Sequence, residues 1–130
     1  MNNLDNNKQF ASKFSKIILI PAIILSSLTA INGKNSFGDI IYFVLEFLWY
    51  MIPYVIFYKI ASVKKNKSAI LTAGLSLIIL DTSAHISIFI FPGSSTDVIA
   101  LFFMPLLLSG IILPLGYMVG LLISNKISVK

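Results

Sequence analysis

Three ionisable side chains, Glu46, Asp81 and His85, interrupt long apolar segments of this 130-residue chain. A charge at the centre of a lipid bilayer costs about 2.5–3.5 kcal/mol or more, so such residues often mark ion or substrate pathways. Asp81 and His85 are four residues apart and would lie on one face of a helix. Because histidine changes charge near physiological pH, this set has the chemistry of a proton relay or a cation site.

A purely structural interpretation of the same residues is also open. Asp81 and His85 would then hydrogen-bond to hydroxyl groups of neighbouring helices and specify how the helices pack. The candidate partners are Ser76, Thr82, Ser83, Ser87 and Tyr50.

Other kinds of site find little support in the sequence. The chain has one histidine and no cysteine, which leaves too few ligands for a zinc site. No nucleophile elbow or glycine-rich phosphate loop occurs, so we expect neither an enzyme nor a cofactor. All ten basic residues are lysines, without the arginines that read bases and clamp phosphates, so a nucleic-acid partner is not expected.

The elements that would position these residues are four apolar runs. The chain is 57% hydrophobic and only 12% charged, with a mean hydropathy of +0.91. The runs are apolar at odd and even positions alike and are too long for barrel strands, so they predict membrane-spanning helices. We expect a polar tail at 1–16, a transmembrane domain at 17–124 and a tail at 125–130. The predicted spans are 17–32, 40–58, 69–91 and 98–124.

The lysines give these spans a direction. Nine of the ten fall in the N-terminal tail, the 59–68 loop and the C-terminal tail, and only Lys34 falls on the opposite side. Positive residues stay cytoplasmic, so both termini are predicted inside, with neighbouring spans antiparallel in an all-α four-helix bundle. The isoleucine-, asparagine- and lysine-rich composition suggests a bacterial cytoplasmic membrane. The first run also has the features of a secretory signal peptide, whose removal would leave three spans in the same orientation.

Depths follow from the rise of about 1.5 Å per helical residue. Glu46 and His85 are each predicted about 9 Å below the outer boundary, with Asp81 one turn deeper. Two prolines in the fourth span, Pro105 and Pro114, predict that this helix is bent.

Small residues indicate where helices approach closely. They recur at Ala22, Ser26 and Ala30 in the first span and at Gly116 and Gly120 in the fourth. Such ladders allow close backbone contact, either within this bundle or against a second copy or a partner's helix.

In outline, the chain resembles the immunity proteins of pore-forming bacteriocins, which are short, multi-spanning and basic on the cytoplasmic side. The likeness covers the architecture and the stretch from Leu113-Pro114-Leu115 to Lys130. It implies a protein that binds or regulates a membrane-active partner within the bilayer. The alternative is an oligomeric proton- or cation-coupled transporter that uses Glu46, Asp81 and His85. Holin-like permeabilisation also fits the size and the basic ends.

Overall fold

The computed structural model describes residues 3–31, 37–63, 66–90 and 96–128, and they are helical almost throughout. The helices are α1 (Asn3–Ile31), α2 (Phe37–Val63), α3 (Lys67–Ile90), α4 (Thr96–Leu107) and α5 (Leu113–Ser128), and a π-helical turn at Leu108–Ile112 joins the last two. Four stretches are long and apolar enough to cross a membrane. They are Gln9–Ala30, Ile40–Val63, Lys67–Ile90 and Phe102–Lys126.

Two of the predicted span ends, at residues 32 and 91, lie outside the described residues. So do Lys34, Lys64, Lys65 and Lys130, on which part of the orientation argument depends. Helix α1 begins at Asn3 and therefore includes most of the polar segment at 1–16.

The buried face of α1 is a stripe of mostly small residues. Its members recur every three or four positions: Ala11, Ser15, Ile18, Ala22, Ser26 and Ala30, each at most 2% exposed. Small side chains allow neighbouring backbones to approach, and this stripe packs against α2 and α3. The outward positions of α1, such as Ile20 and Leu28, are large, apolar and more than half exposed, as expected for a helix surrounded by lipid.

Residues 64–66 separate helix α2 from helix α3. Asn66 caps α3, because its side-chain oxygen accepts a hydrogen bond from the Ala69 amide at 3.0 Å. Phe57 lies against Gly74, and Tyr54 lies beside Asp81. Earlier residues of α2 therefore contact later residues of α3, as in an antiparallel pair of helices.

Helices α3 and α5 approach each other closely. A methyl group added at Gly116 would lie 2.9 Å from the Ala73 Cα, and one at Gly120 would lie 2.6 Å from the Ser68 carbonyl oxygen. Both distances are too short for real carbon contacts, so α5 needs glycine at these positions. The two predicted glycines thus lie inside the bundle.

A π-helical turn interrupts the last helix between the two prolines that predicted a bend. The Leu113 amide donates to the carbonyl of Leu108, five residues back. Pro114 has no amide hydrogen, and in a regular helix its ring would clash with the carbonyl of Gly110. A wider turn immediately before Pro114 relieves that conflict. The Ser109 hydroxyl donates to the Pro105 carbonyl at 2.5 Å, which ties the turn to α4.

Candidate functional site

The Asp81 carboxyl group lies in the interior of the bundle, where only 4% of the residue is exposed. The Tyr54 hydroxyl of α2 donates to its Oδ2 in a short hydrogen bond. On the other side, His85 Nδ1 lies 3.2 Å from Oδ1. Each carboxyl oxygen of Asp81 thus has its own hydrogen-bonding neighbour, one on α2 and one on α3.

His85 is also 4% exposed, and it connects Asp81 to α1. Its Nδ1 lies 2.8 Å from the backbone carbonyl of Asp81. Its Nε2 lies 2.7 Å from the Thr29 hydroxyl. A carbonyl can only accept, so Nδ1 must carry a proton, and this fixes the tautomer of the neutral ring. One imidazole therefore links helices α3 and α1 through its two nitrogens.

Thr29 can bond to His85 in either charge state of the ring. When His85 is neutral, Nε2 accepts a hydrogen bond from the Thr29 hydroxyl. When the ring is protonated, Nε2 donates to Thr29, whose own proton is then directed to the Leu25 carbonyl 2.9 Å away. A proton can thus be held at Nε2 without breaking the contact between the two side chains.

Aromatic rings enclose the imidazole. Tyr50 lies edge-on to it with ring centroids 6.3 Å apart, and Phe89 stacks on it at 6.0 Å. These rings add to the exclusion of solvent from the pair. Among the described residues, no buried side-chain nitrogen or oxygen lacks a hydrogen-bond partner. We call Thr29, Tyr54, Asp81 and His85 the polar cluster.

Glu46 occupies a different environment from the polar cluster. It lines an open groove of about 350 Å³ between α2 and α4, together with Tyr42, Leu45, Trp49 and Phe102. Trp49 is held there by a hydrogen bond from its Nε1 to the Phe102 carbonyl at 2.9 Å and by ring stacking at 5.6 Å. Glu46, Asp81 and His85 do not form a group that could hold a metal ion, nor does any other set within the described ranges.

Glu46 and Tyr50 lie on successive turns of the same face of α2. Equal depth was predicted for Glu46 and His85, but the ring beside His85 is that of Tyr50, one turn further along α2. Helix α2 continues to Val63 and α3 begins at Lys67, so both helices extend into the ten-residue polar break of the sequence. Glu46 therefore lies about 6 Å along α2 from the residue whose ring contacts His85.

The hydroxyl partners also differ from those suggested by the sequence. Thr29 and Tyr54 bond to the pair, and neither was among the predicted hydroxyls. Of the predicted hydroxyls, that of Ser83 donates to the carbonyl of Ile79 in its own helix at 2.6 Å.

Comparisons with protein families, curated proteins and solved structures found no match to this chain.

Proposed function

We propose that this chain is a multi-pass protein of a bacterial cytoplasmic membrane that binds another membrane-active protein and regulates it. The role would be immunity-like or accessory, without catalysis. The observation that carries the proposal is the closure of the polar cluster, whose four side chains satisfy one another across three helices. Side chains that bond to one another in this way stabilise the packing of the helices. In a transporter, the same side chains would have to face a pathway that the solute can enter.

The faces turned away from the core supply the binding surface in this proposal. The small-residue ladders are occupied inside the bundle, since Ala22 and Ala30 are fully buried and Gly116 contacts Ala73. A partner would therefore meet large apolar side chains, such as Met118 and Leu122 of α5, which are 59% and 63% exposed. These are also the surfaces that lipid covers when no partner is bound.

Photo-crosslinking in the native membrane tests the binding role. A photoreactive residue at Met118 or Leu122 should form an adduct of one defined mass, and one at the fully buried Leu77 should form none. The crosslinked partner is then reconstituted in dye-loaded vesicles with and without this protein, which we expect to change dye release. Absence of a discrete adduct on every outward face contradicts binding, and unchanged dye release contradicts regulation.

The proposed orientation places both termini in the cytoplasm, with neighbouring spans antiparallel. The lysine distribution supports it, and the paired positions along α2 and α3 are compatible with it. Because the chain has no cysteine, single-cysteine variants report sidedness cleanly. An impermeant maleimide applied to intact spheroplasts should label Ser94→Cys and spare Ser62→Cys, while a permeant one labels both. The opposite pattern would overturn the orientation.

A transporter is the second candidate, and one observation favours it. His85 can accept a proton at Nε2 while it keeps its contact with Thr29, which suits proton-coupled exchange within an oligomer. Vesicles containing the wild-type protein, Asp81→Asn or Glu46→Gln are compared for flux driven by a pH gradient. Flux that both substitutions abolish would favour transport, whereas no flux from folded wild-type protein would eliminate it.

A further inference from the structure

The groove between α2 and α4 combines a carboxylate with aromatic rings. Tyr42, Leu45, Glu46 and Trp49 follow the spacing of a single helical face, and Phe102 closes the groove from α4. The Glu46 position is six residues inside the start of the stretch Ile40–Val63, or about 9 Å along the helix. The groove therefore lies near the start of this stretch.

The chemistry of the groove selects for positive charge. The faces of tyrosine, tryptophan and phenylalanine rings attract cations, and aromatic cages recognise quaternary ammonium groups in this way. The Glu46 carboxylate adds an acidic group to the same groove. Trp49 is already fixed in place by its hydrogen bond and its stacking on Phe102, so little side-chain freedom is lost when a ligand binds.

The size of the groove points to an organic cation rather than a metal ion. A volume of about 350 Å³ falls at the lower end of the usual range for small-molecule sites. A metal ion would need several oxygen or nitrogen ligands, whereas the lining contains one carboxylate among aromatic and aliphatic side chains.

We propose that this groove binds a small organic ammonium ion, with the Glu46 carboxylate as counter-ion and the Trp49 and Phe102 rings beside the cationic head. The site is separate from the polar cluster and requires no partner protein. It therefore goes beyond the proposed regulatory function. Failure to find a partner protein would not contradict the proposal that the groove binds an ammonium ion.

Trp49 is the only tryptophan in the chain, so its fluorescence reports on the groove directly. Full-length protein in a non-ionic detergent is titrated with benzyltrimethylammonium and, separately, with neopentylbenzene, its uncharged carbon isostere. We expect a saturable fluorescence change with the cation and affinity about tenfold or more weaker for the isostere. Glu46→Gln should weaken binding of the cation by a similar factor and leave the isostere unaffected.

A second pair of variants keeps the test decisive if the Glu46 variant folds poorly. Phe102 and Phe103 are adjacent and almost equally exposed, at 54% and 55%, but only Phe102 lines the groove. Phe102→Leu should weaken binding about 2–30-fold, the range of one cation–π contact, and Phe103→Leu should not. Equal affinity for cation and isostere, an unaffected Glu46→Gln variant, or equal effects of the two leucine variants would overturn the proposal.

Discussion

Replacing Gly120 by alanine tests the contact between α3 and α5 most directly. The new methyl group would lie 2.6 Å from the Ser68 carbonyl oxygen and 2.8 Å from the Ala69 amide nitrogen. Both are backbone atoms, so no side chain can rotate away. The nearest atom of all would be the Ala69 Cα, and to restore an ordinary contact of 3.4 Å with it the two helices must separate by roughly 1 Å along a packed interface.

The expected cost follows from two opposing effects. Overpacking costs about 1–3 kcal/mol, and the rigid backbone at Gly120 favours the upper value. Exchanging glycine for alanine within a helix recovers about 1 kcal/mol. We therefore expect Gly120→Ala to lower the free energy of unfolding by about 2 kcal/mol.

Gly110 supplies the matched control, because nothing lies within 4 Å of a methyl group added there. Gly110→Ala should be neutral or more stable by up to about 1 kcal/mol. Gly116→Ala should fall between the two, since one of its close neighbours is the Ser76 hydroxyl, 3.2 Å away, which can rotate.

Unfolding by SDS in mixed micelles, followed by circular dichroism, measures all three variants under the same conditions. The reasoning predicts the order Gly110→Ala, Gly116→Ala, Gly120→Ala from most to least stable, with a gap of about 3 kcal/mol between the extremes. If Gly120→Ala were as stable as Gly110→Ala, the close approach of α3 and α5 would be refuted.

Two further predictions concern the polar cluster and use the same unfolding assay. Tyr54→Phe removes a donor from the buried Asp81 carboxylate and should cost about 1–3 kcal/mol, whereas Tyr58→Phe, one turn away and 38% exposed, should change stability little; equal effects would argue against the Tyr54 contact. Thr29→Val keeps the shape of the side chain but removes the hydroxyl beside His85, and should cost about 0.6 kcal/mol, the average for an interhelical hydrogen bond in membranes. If Thr29→Val lowered the free energy of unfolding more than Tyr54→Phe does, the Tyr54 contact could not be the more stabilising of the two.

Sequence reasoning was most informative about the elements and less so about their register. Length and hydropathy alone indicate four spanning helices, because a bilayer tolerates few alternatives. The depth of each residue was inferred from the ends of the apolar runs, but helices continue beyond those ends into polar residues. In the structure the ring beside His85 is that of Tyr50, one helical turn after Glu46.

The partners of the polar cluster were harder to predict for a related reason. The spacing of Asp81 and His85 places them on one face of one helix, so their proximity is a local property. Thr29 and Tyr54 come from other helices, and their selection depends on how each helix is rotated about its axis. Hydropathy gives weak information about rotation, because both the lipid side and the core side of these helices are apolar. The stripe of small residues that includes Ser26 was the signal that Thr29 lay near a buried face.

The intrahelical spacing of Asp81 and His85 has a consequence for how the protein enters the membrane. Since the two side chains can pair within α3 itself, they can meet as soon as that helix forms, before any tertiary contact exists. The insertion machinery would then pass a paired acid and base into lipid rather than two separate charges. Tyr54 and Thr29 belong to α2 and α1, which are synthesised before α3. If the helices insert in that order, both hydrogen-bond partners are in the bilayer before Asp81 and His85 enter it. The order of synthesis thus matches the order in which the polar groups need their neighbours.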